Sequence, residues 1–189
     1  MKNIINTYDS LNDYRLIVDL PASVKRKIAD IKVEFDADYK GLVIPGGDPF
    51  VYLASFAQTE SKEDSVVDIL NKIALGFMPF KMHLKNFGHI ESGEIFIEVE
   101  EQAALKMLIG QIKDNLSYVQ DARFNPHPRI TLAKRLLPFQ VSKSWKVYER
   151  KSFSATYIAN EMLLLKRMEG FSSWQILRRM EFQNMLISV

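Results

Sequence analysis

Phe124-Asn-Pro-His-Pro-Arg-Ile-Thr-Leu-Ala-Lys134 is the stretch from which the rest of the chain can be placed. Two prolines, Pro126 and Pro128, lead into a run that alternates as a half-buried strand does. Arg129, Thr131 and Ala133 fall on one face, Ile130 and Leu132 on the other. If the extended backbone continues back through Pro128, His127 joins the Arg129/Thr131 face. A guanidinium and a hydroxyl two residues apart on a strand face suit a phosphate better than a packed core.

The run has an echo upstream. Pro49-Phe-Val-Tyr-Leu-Ala54 and Pro128-Arg-Ile-Thr-Leu-Ala133 share Pro, Leu and Ala in register, with Val matching Ile. Each follows a helical pattern. The pairing implies a duplicated lobe, with two strands facing each other across a cleft and Phe50 and Tyr52 opposite Arg129 and Thr131.

The flanks fill in the two lobes. Residues 1–12 read as a polar lead-in, and Tyr14–Leu20 as a first strand stopped by Pro21. Val24, Ile28, Ile31 and Phe35 then mark one apolar face of a helix. Lys25, Arg26, Lys27 and Lys32 lie off that face and read as solvated surface. Pro45-Gly46-Gly47-Asp48-Pro49 is a turn cluster that matches neither phosphate-loop nor dinucleotide glycine pattern.

After the strand Phe50–Phe56, Ser61-Lys-Glu-Asp64 resembles a capping box opening a helix, with Gly76 as its C′ residue. Phe80–Lys85 and Glu94–Glu100 alternate as an antiparallel pair, with Asn86–His89 and Glu91–Gly93 as turn material. Lys81, His83 and Lys85 form a basic face, read as solvated. A third helix runs from about Glu101 to Leu116, and a fourth starts at Pro138. Phe153–Lys166 and Trp174–Phe182 read as a closing hairpin, and Trp145 and Trp174 as packing residues. The prediction is an α+β fold, a single bilobal domain over residues 1–189: two pseudo-symmetric lobes of antiparallel strands, helices outside, a cleft between.

Bulk properties bound the function. A net charge of +2 is too small to argue for nucleic-acid binding without a local patch. The chain has no cysteine, which excludes disulfides, thiolate metal sites and cysteine nucleophiles. His83, His89 and His127 lack acidic partners at ligand spacing, so neither a metal nor a cofactor is expected. No signal-peptide pattern or long apolar run is present, and the expectation is a soluble cytoplasmic protein without membrane association.

On these residues the sequence resembles the 2H phosphoesterases, which include the 2′-5′ RNA ligases and cyclic phosphodiesterases. Their signature is two His-x-Thr/Ser motifs, one per lobe, the second typically within Pro-His-Ile-Thr-Leu-Ala. Pro128–Ala133 matches that motif except that Arg129 stands at the histidine position; Thr131 is retained. In the first motif Phe50 stands for the histidine and Tyr52 for the hydroxyl residue. The resemblance spans roughly residues 14–183. It implies that the two histidines act as general base and acid on a cyclic phosphate or 2′-5′ bond, while the hydroxyls steady phosphate oxygens.

Such catalysis needs groups with pKa near the operating pH, which imidazole supplies. Arginine stays protonated and phenylalanine has no proton to give. Arg129 can still hold a phosphate, and Phe50 and Tyr52 can stack on a base. On an ideal strand His127 sits about 6.6 Å from position 129, too far to stand in for the missing imidazole without a bulge. The expectation is a degenerate relative that binds a nucleotide, an RNA end or a small phosphate ester through Arg129, Thr131, Tyr52, Phe50 and His127. The alternatives are an active phosphodiesterase or RNA-end-processing enzyme with displaced residues such as His127 and Tyr52, and a non-catalytic interaction scaffold.

Overall fold

The computed structural model describes residues 9–38, 48–100 and 102–186. Residues 1–8, most of the predicted turn cluster (Pro45 to Gly47) and Glu101 lie outside them. The described residues form four α-helices, a single 3-10 turn at Glu60–Lys62 and nine strands, the strands making two antiparallel sheets.

The first sheet contains β1 (Leu11–Asp19), β2 (Phe50–Thr59), β5 (Arg123–Phe124), β8 (Glu161–Arg167) and β9 (Gln175–Glu181), in the order β5-β2-β1-β8-β9. The second contains β3 (Phe80–Ile90), β4 (Glu94–Val99), β6 (Arg129–Lys134) and β7 (Ser154–Ala159), in the order β6-β4-β3-β7. The helices are α1 (Ala22–Asp38), α2 (Glu63–Gly76), α3 (Ala103–Leu116) and α4 (Pro138–Tyr148). The predicted α+β architecture is therefore observed.

The duplication predicted from the Pro-x-x-x-Leu-Ala echo has a structural counterpart. β1-α1-β2-α2 and β4-α3-β6-α4 repeat the same order of elements, the two-residue strand β5 between α3 and β6 being an addition in the second unit. Their strand pairs also share an irregularity. β1 and β2 slip register so that Leu16 opposes Ala54 while Ile17 opposes Tyr52, leaving Leu53 as an extra residue. β4 and β6 slip identically: Ile95 opposes Ala133, Phe96 opposes Thr131, and Leu132 is extra. These are β-bulges at matching places, and they bring positions 50, 52 and 55 into correspondence with 129, 131 and 134.

The bulge corrects one expectation. Ala133 does not share the Arg129/Thr131 face; it is fully buried, as is its counterpart Ala54. The extra residue reverses the alternation, so two successive residues point inward and Lys134 returns to the outer face.

Other predicted boundaries move for local reasons. β1 begins at Leu11, because Leu11 already pairs with Thr59, so the lead-in ends earlier than position 12. β3 runs through the predicted turn at Asn86–His89, since Asn86 absorbs a bulge at φ 58° and pairing resumes at Phe87. Phe153–Lys166 is two strands: β7 pairs with β3, and the chain then crosses at Asn160 into β8 of the other sheet. Only β8 forms the closing hairpin with β9. Ser61 does not cap α2, because its hydroxyl and amide donate to the Asp9 carboxylate at 2.5 and 2.9 Å. Gly76 is the last residue of α2 and not a left-handed C′ residue.

The core is one continuous cluster drawn from both sheets and all four helices. Val24, Ile28 and Phe35 of α1, Leu70 of α2 and Leu105, Leu108 and Ile112 of α3 supply the predicted inner faces. Each such side chain contributes roughly 1.5–3 kcal/mol by leaving water. α4 begins with Pro138 at its first position, and the Leu137 amide donates to Gln140 Oε1 at 2.7 Å. No helix among the described residues is long and apolar enough to cross a membrane.

The Glu91–Gly93 turn packs closely against the backbone of Leu136. Gly93 sits at φ 98°, and a Cβ there would lie 2.3 Å from the Leu136 carbonyl oxygen. Gly93→Ala should therefore cost about 1–3 kcal/mol, read by urea denaturation. An unchanged unfolding midpoint would show that this turn relaxes freely.

Candidate functional site

The motif strands β2 and β6 lie against each other, each as a side of one cleft. The link between them is pinned to β2: Asn125 donates its backbone N–H to the Leu53 carbonyl at 2.9 Å and its side-chain amide to the Tyr52 carbonyl at 2.8 Å. The first bond satisfies the carbonyl of the bulged residue. Pro49 and Pro128 are both buried at the strand starts.

The cleft has a volume of about 700 Å³. Phe50, Tyr52, Arg129 and Thr131 all line it, so the structure brings together four of the five residues chosen from sequence. His127 is not among the lining residues. It is exposed at a bend, its backbone N–H donating to Asn125 Oδ1 at 3.1 Å. The extended backbone does not continue back through Pro128, so His127 does not join the Arg129 face.

Arg129 is already held. Its Nε and Nη2 donate to the two carboxylate oxygens of Glu94 at 3.1 and 2.6 Å, and Thr131 Oγ1 donates to Glu94 Oε1 at 2.5 Å. The guanidinium carbon also lies 4.6 Å from the centre of the Phe96 ring. Phe96 can lie there because Gly88 faces it across β3; a Cβ on Gly88 would sit 2.5 Å from the ring. Glu94 thus occupies the bidentate edge that would otherwise grip a phosphate, leaving Nη1 without a protein acceptor among the described residues.

The opposite half is arranged differently. Arg15 of β1 corresponds to Glu94 of β4 through the matched register. Its guanidinium stacks on Trp174 at 4.1 Å and lies 5.7 Å from Phe50. Burial pushes its pKa down. Tyr52 shares a 2.8 Å hydrogen bond with Ser55, its neighbour on the cleft face beyond the bulge.

Two lysines of α1 that the helical pattern consigned to solvated surface line the cleft instead. Lys25 bonds to Asp19 and Asp48 at 2.8 and 3.0 Å. Burial opposes its charge, but the two carboxylates outweigh it and raise its pKa. Lys32 is half-buried, and burial lowers its pKa against the pull of Asp48. Both line the cleft because of where α1 is placed in the fold, a relation that periodicity does not encode. Trp174, predicted to pack, lines the cleft; Trp145 does pack, stacked on His89 at 4.4 Å. The Lys81/His83/Lys85 face stays outside, with His83 and Lys85 paired to Glu100.

This geometry, two bulged strands from repeated β-α-β-α units facing across a cationic cleft, agrees with a comparison of the sequence against known families. Residues 20–170 match the 2′-5′ RNA ligase superfamily.

The chain belongs to the 2′-5′ RNA ligase superfamily.

No curated protein matches it. Solved structures share its fold. E. coli LigT in apo form aligns with a TM-score of 0.69 at 15% identity, covering 91% of this chain and 98% of LigT. E. coli LigT complexed with 3′-AMP gives 0.65 at 16% identity, over 92% and 98%. TT0787 of Thermus thermophilus gives 0.67 at 16%, over 90% and 98%.

Within this superfamily fold, sequence reasoning missed Glu94, Arg15 and the two α1 lysines. Glu94 and Arg15 could have been found by pairing the two repeats, since each lies on the neighbour strand of a motif strand. The Glu94–Arg129 pair is largely shielded, with side-chain exposures of 15% and 25%. A double-mutant cycle on Glu94→Gln and Arg129→Met should give a coupling of about 1.5–3 kcal/mol in unfolding free energy. A coupling near zero would mean that water, not the partner, satisfies each group.

Proposed function

We propose that the cleft binds a nucleotide, an RNA end or a related phosphate ester without the two-histidine chemistry of the 2H phosphoesterases. One observation carries the reading. The four motif positions meet in the cleft as Phe50, Tyr52, Arg129 and Thr131, while His83, His89 and His127 all stand outside it.

General acid–base catalysis on a cyclic phosphate requires one group to accept a proton from water and another to donate one to the leaving oxygen. An arginine side chain cannot cycle a proton in this way, and phenylalanine has none to give. Binding has better support. Six cationic side chains line the cleft against two aspartates, and low-dielectric walls concentrate such a field on an anionic ligand. Phe50, Tyr52, Ile17 and Leu165 provide apolar surface for a base or ribose. From the second lobe Arg129 can donate through Nη1, while Thr131, whose proton goes to Glu94, can only accept, as from a ribose hydroxyl. E. coli LigT, which shares the fold, has been crystallised with 3′-AMP, ATP, NADP+ and phosphate.

Calorimetric titration with AMP at low salt should show saturable binding that weakens as ionic strength rises, because much of the attraction is screened. Incubation with 2′,3′-cyclic AMP should give no hydrolysis above buffer. Turnover that disappears in His127→Ala would overturn the reading and restore an active phosphodiesterase with displaced residues. Absence of any binding at millimolar AMP would leave an interaction scaffold.

A further inference from the structure

The two halves of the cleft carry charge in opposite ways. In the second lobe the motif arginine is neutralised within the protein. Glu94 receives both Arg129 donors and the Thr131 hydroxyl, so it sits where two phosphate oxygens would sit. In the first lobe the matching position holds Arg15.

Arg15 has no hydrogen bond to a carboxylate among the described residues. Asp13, the carboxylate that acts on its charge, is already paired with Arg167 at 2.7 Å. Arg167 itself repels Arg15. The guanidinium carbon lies over the Trp174 ring, 4.1 Å from its centre, and 5.7 Å from the centre of Phe50. A cation–π contact of this kind consumes none of the guanidinium N–H donors, and among the described residues none of them is bonded to a protein acceptor, so they are available to an oxyanion. Burial disfavours its charge, which an incoming anion would relieve.

The other lining cations are less suited. Lys25 is bonded to two carboxylates, Lys32 shares the field of Asp48, and Arg123 and Lys134 are exposed and solvated.

We infer that the phosphate group of the ligand is seated on Arg15, in the lobe opposite the motif arginine, and that Glu94 restrains Arg129 and Thr131 from competing for it. The inference rests on the reading of the cleft as a phosphate-ester site. It makes Arg15 the principal phosphate-holding residue and Glu94 an internal carboxylate that sets which end of the cleft the anion takes.

The experiment is calorimetric titration of AMP and of inorganic phosphate into the full chain and into Arg15→Met, Arg15→Lys, Arg129→Met and Glu94→Gln, with thermal melts recorded for each. Arg15→Met should weaken AMP at least about tenfold, the loss of a charged hydrogen-bonding group. Arg15→Lys should also weaken it, since an ammonium lacks the fork. Glu94→Gln should strengthen inorganic phosphate severalfold by releasing the Arg129 edge. A loss in Arg129→Met equal to or larger than that in Arg15→Met overturns the inference while leaving the cleft reading intact. Should Arg15→Met fail to fold, Glu94→Gln decides, and unchanged or weaker phosphate binding there overturns it. A wild-type chain that binds neither probe overturns the inference and the cleft reading together.

Discussion

One extra residue in each motif strand shapes the cleft. Leu53 and Leu132 are inserted at equivalent places, and each reverses the alternation of its strand. Upstream of the bulge, Phe50 and Tyr52 in one lobe and Arg129 and Thr131 in the other face outward. At the bulge two successive residues turn into the core: Leu53 and Ala54, Leu132 and Ala133, all fully buried. Downstream, Ser55 and Lys134 face the cleft again. A bulge also sharpens local twist, which suits two strands that must curve toward each other. Without it Ala133 would face solvent and Lys134 would have to enter the core.

The bulges impose a symmetric frame, and the side chains break the symmetry. At the position two residues before the slip, one lobe carries Arg15 and the other Glu94. This single difference in sign makes one half of the cleft self-paired and the other half a stacked cation without a carboxylate partner among the described residues. A shielded ion pair must offset the loss of water around both charges, and the Glu94 carboxylate manages this by accepting three hydrogen bonds. Arg15 compensates through Trp174 and Phe50, whose ring faces attract the cation without neutralising it. Gly88 belongs to the same arrangement, because its missing side chain admits the Phe96 ring on which Arg129 rests.

Much of this is legible in the sequence. The Pro-x-x-x-Leu-Ala echo marks both motif strands, and apolar spacing places α1, α2, α3 and α4 within a few residues. The alternation of Glu94–Glu100 predicts that Ile95, Ile97 and Val99 are buried, as they are. Strand and helix identities are local properties, carried by the period of the apolar residues. The substitutions at the motif positions are likewise readable, since they are a matter of residue type.

What tertiary structure decided is which groups meet. A bulge is invisible in a single strand, because it exists only relative to the partner's register; hence Ala133 and Lys134 exchanged faces. The 3.6-residue period showed which face of α1 is apolar but not where its flank lands, so Lys25 and Lys32 passed for surface residues. His127 looked aligned with Arg129 only on an ideal strand, and the bend at Pro126–His127 turned it away. Above all, Glu94 lies 35 residues from Arg129 in sequence. Sequence determined that an arginine stands where a histidine would be needed for catalysis; only the fold placed a carboxylate against it, because cross-strand pairing joins residues that chain order keeps apart.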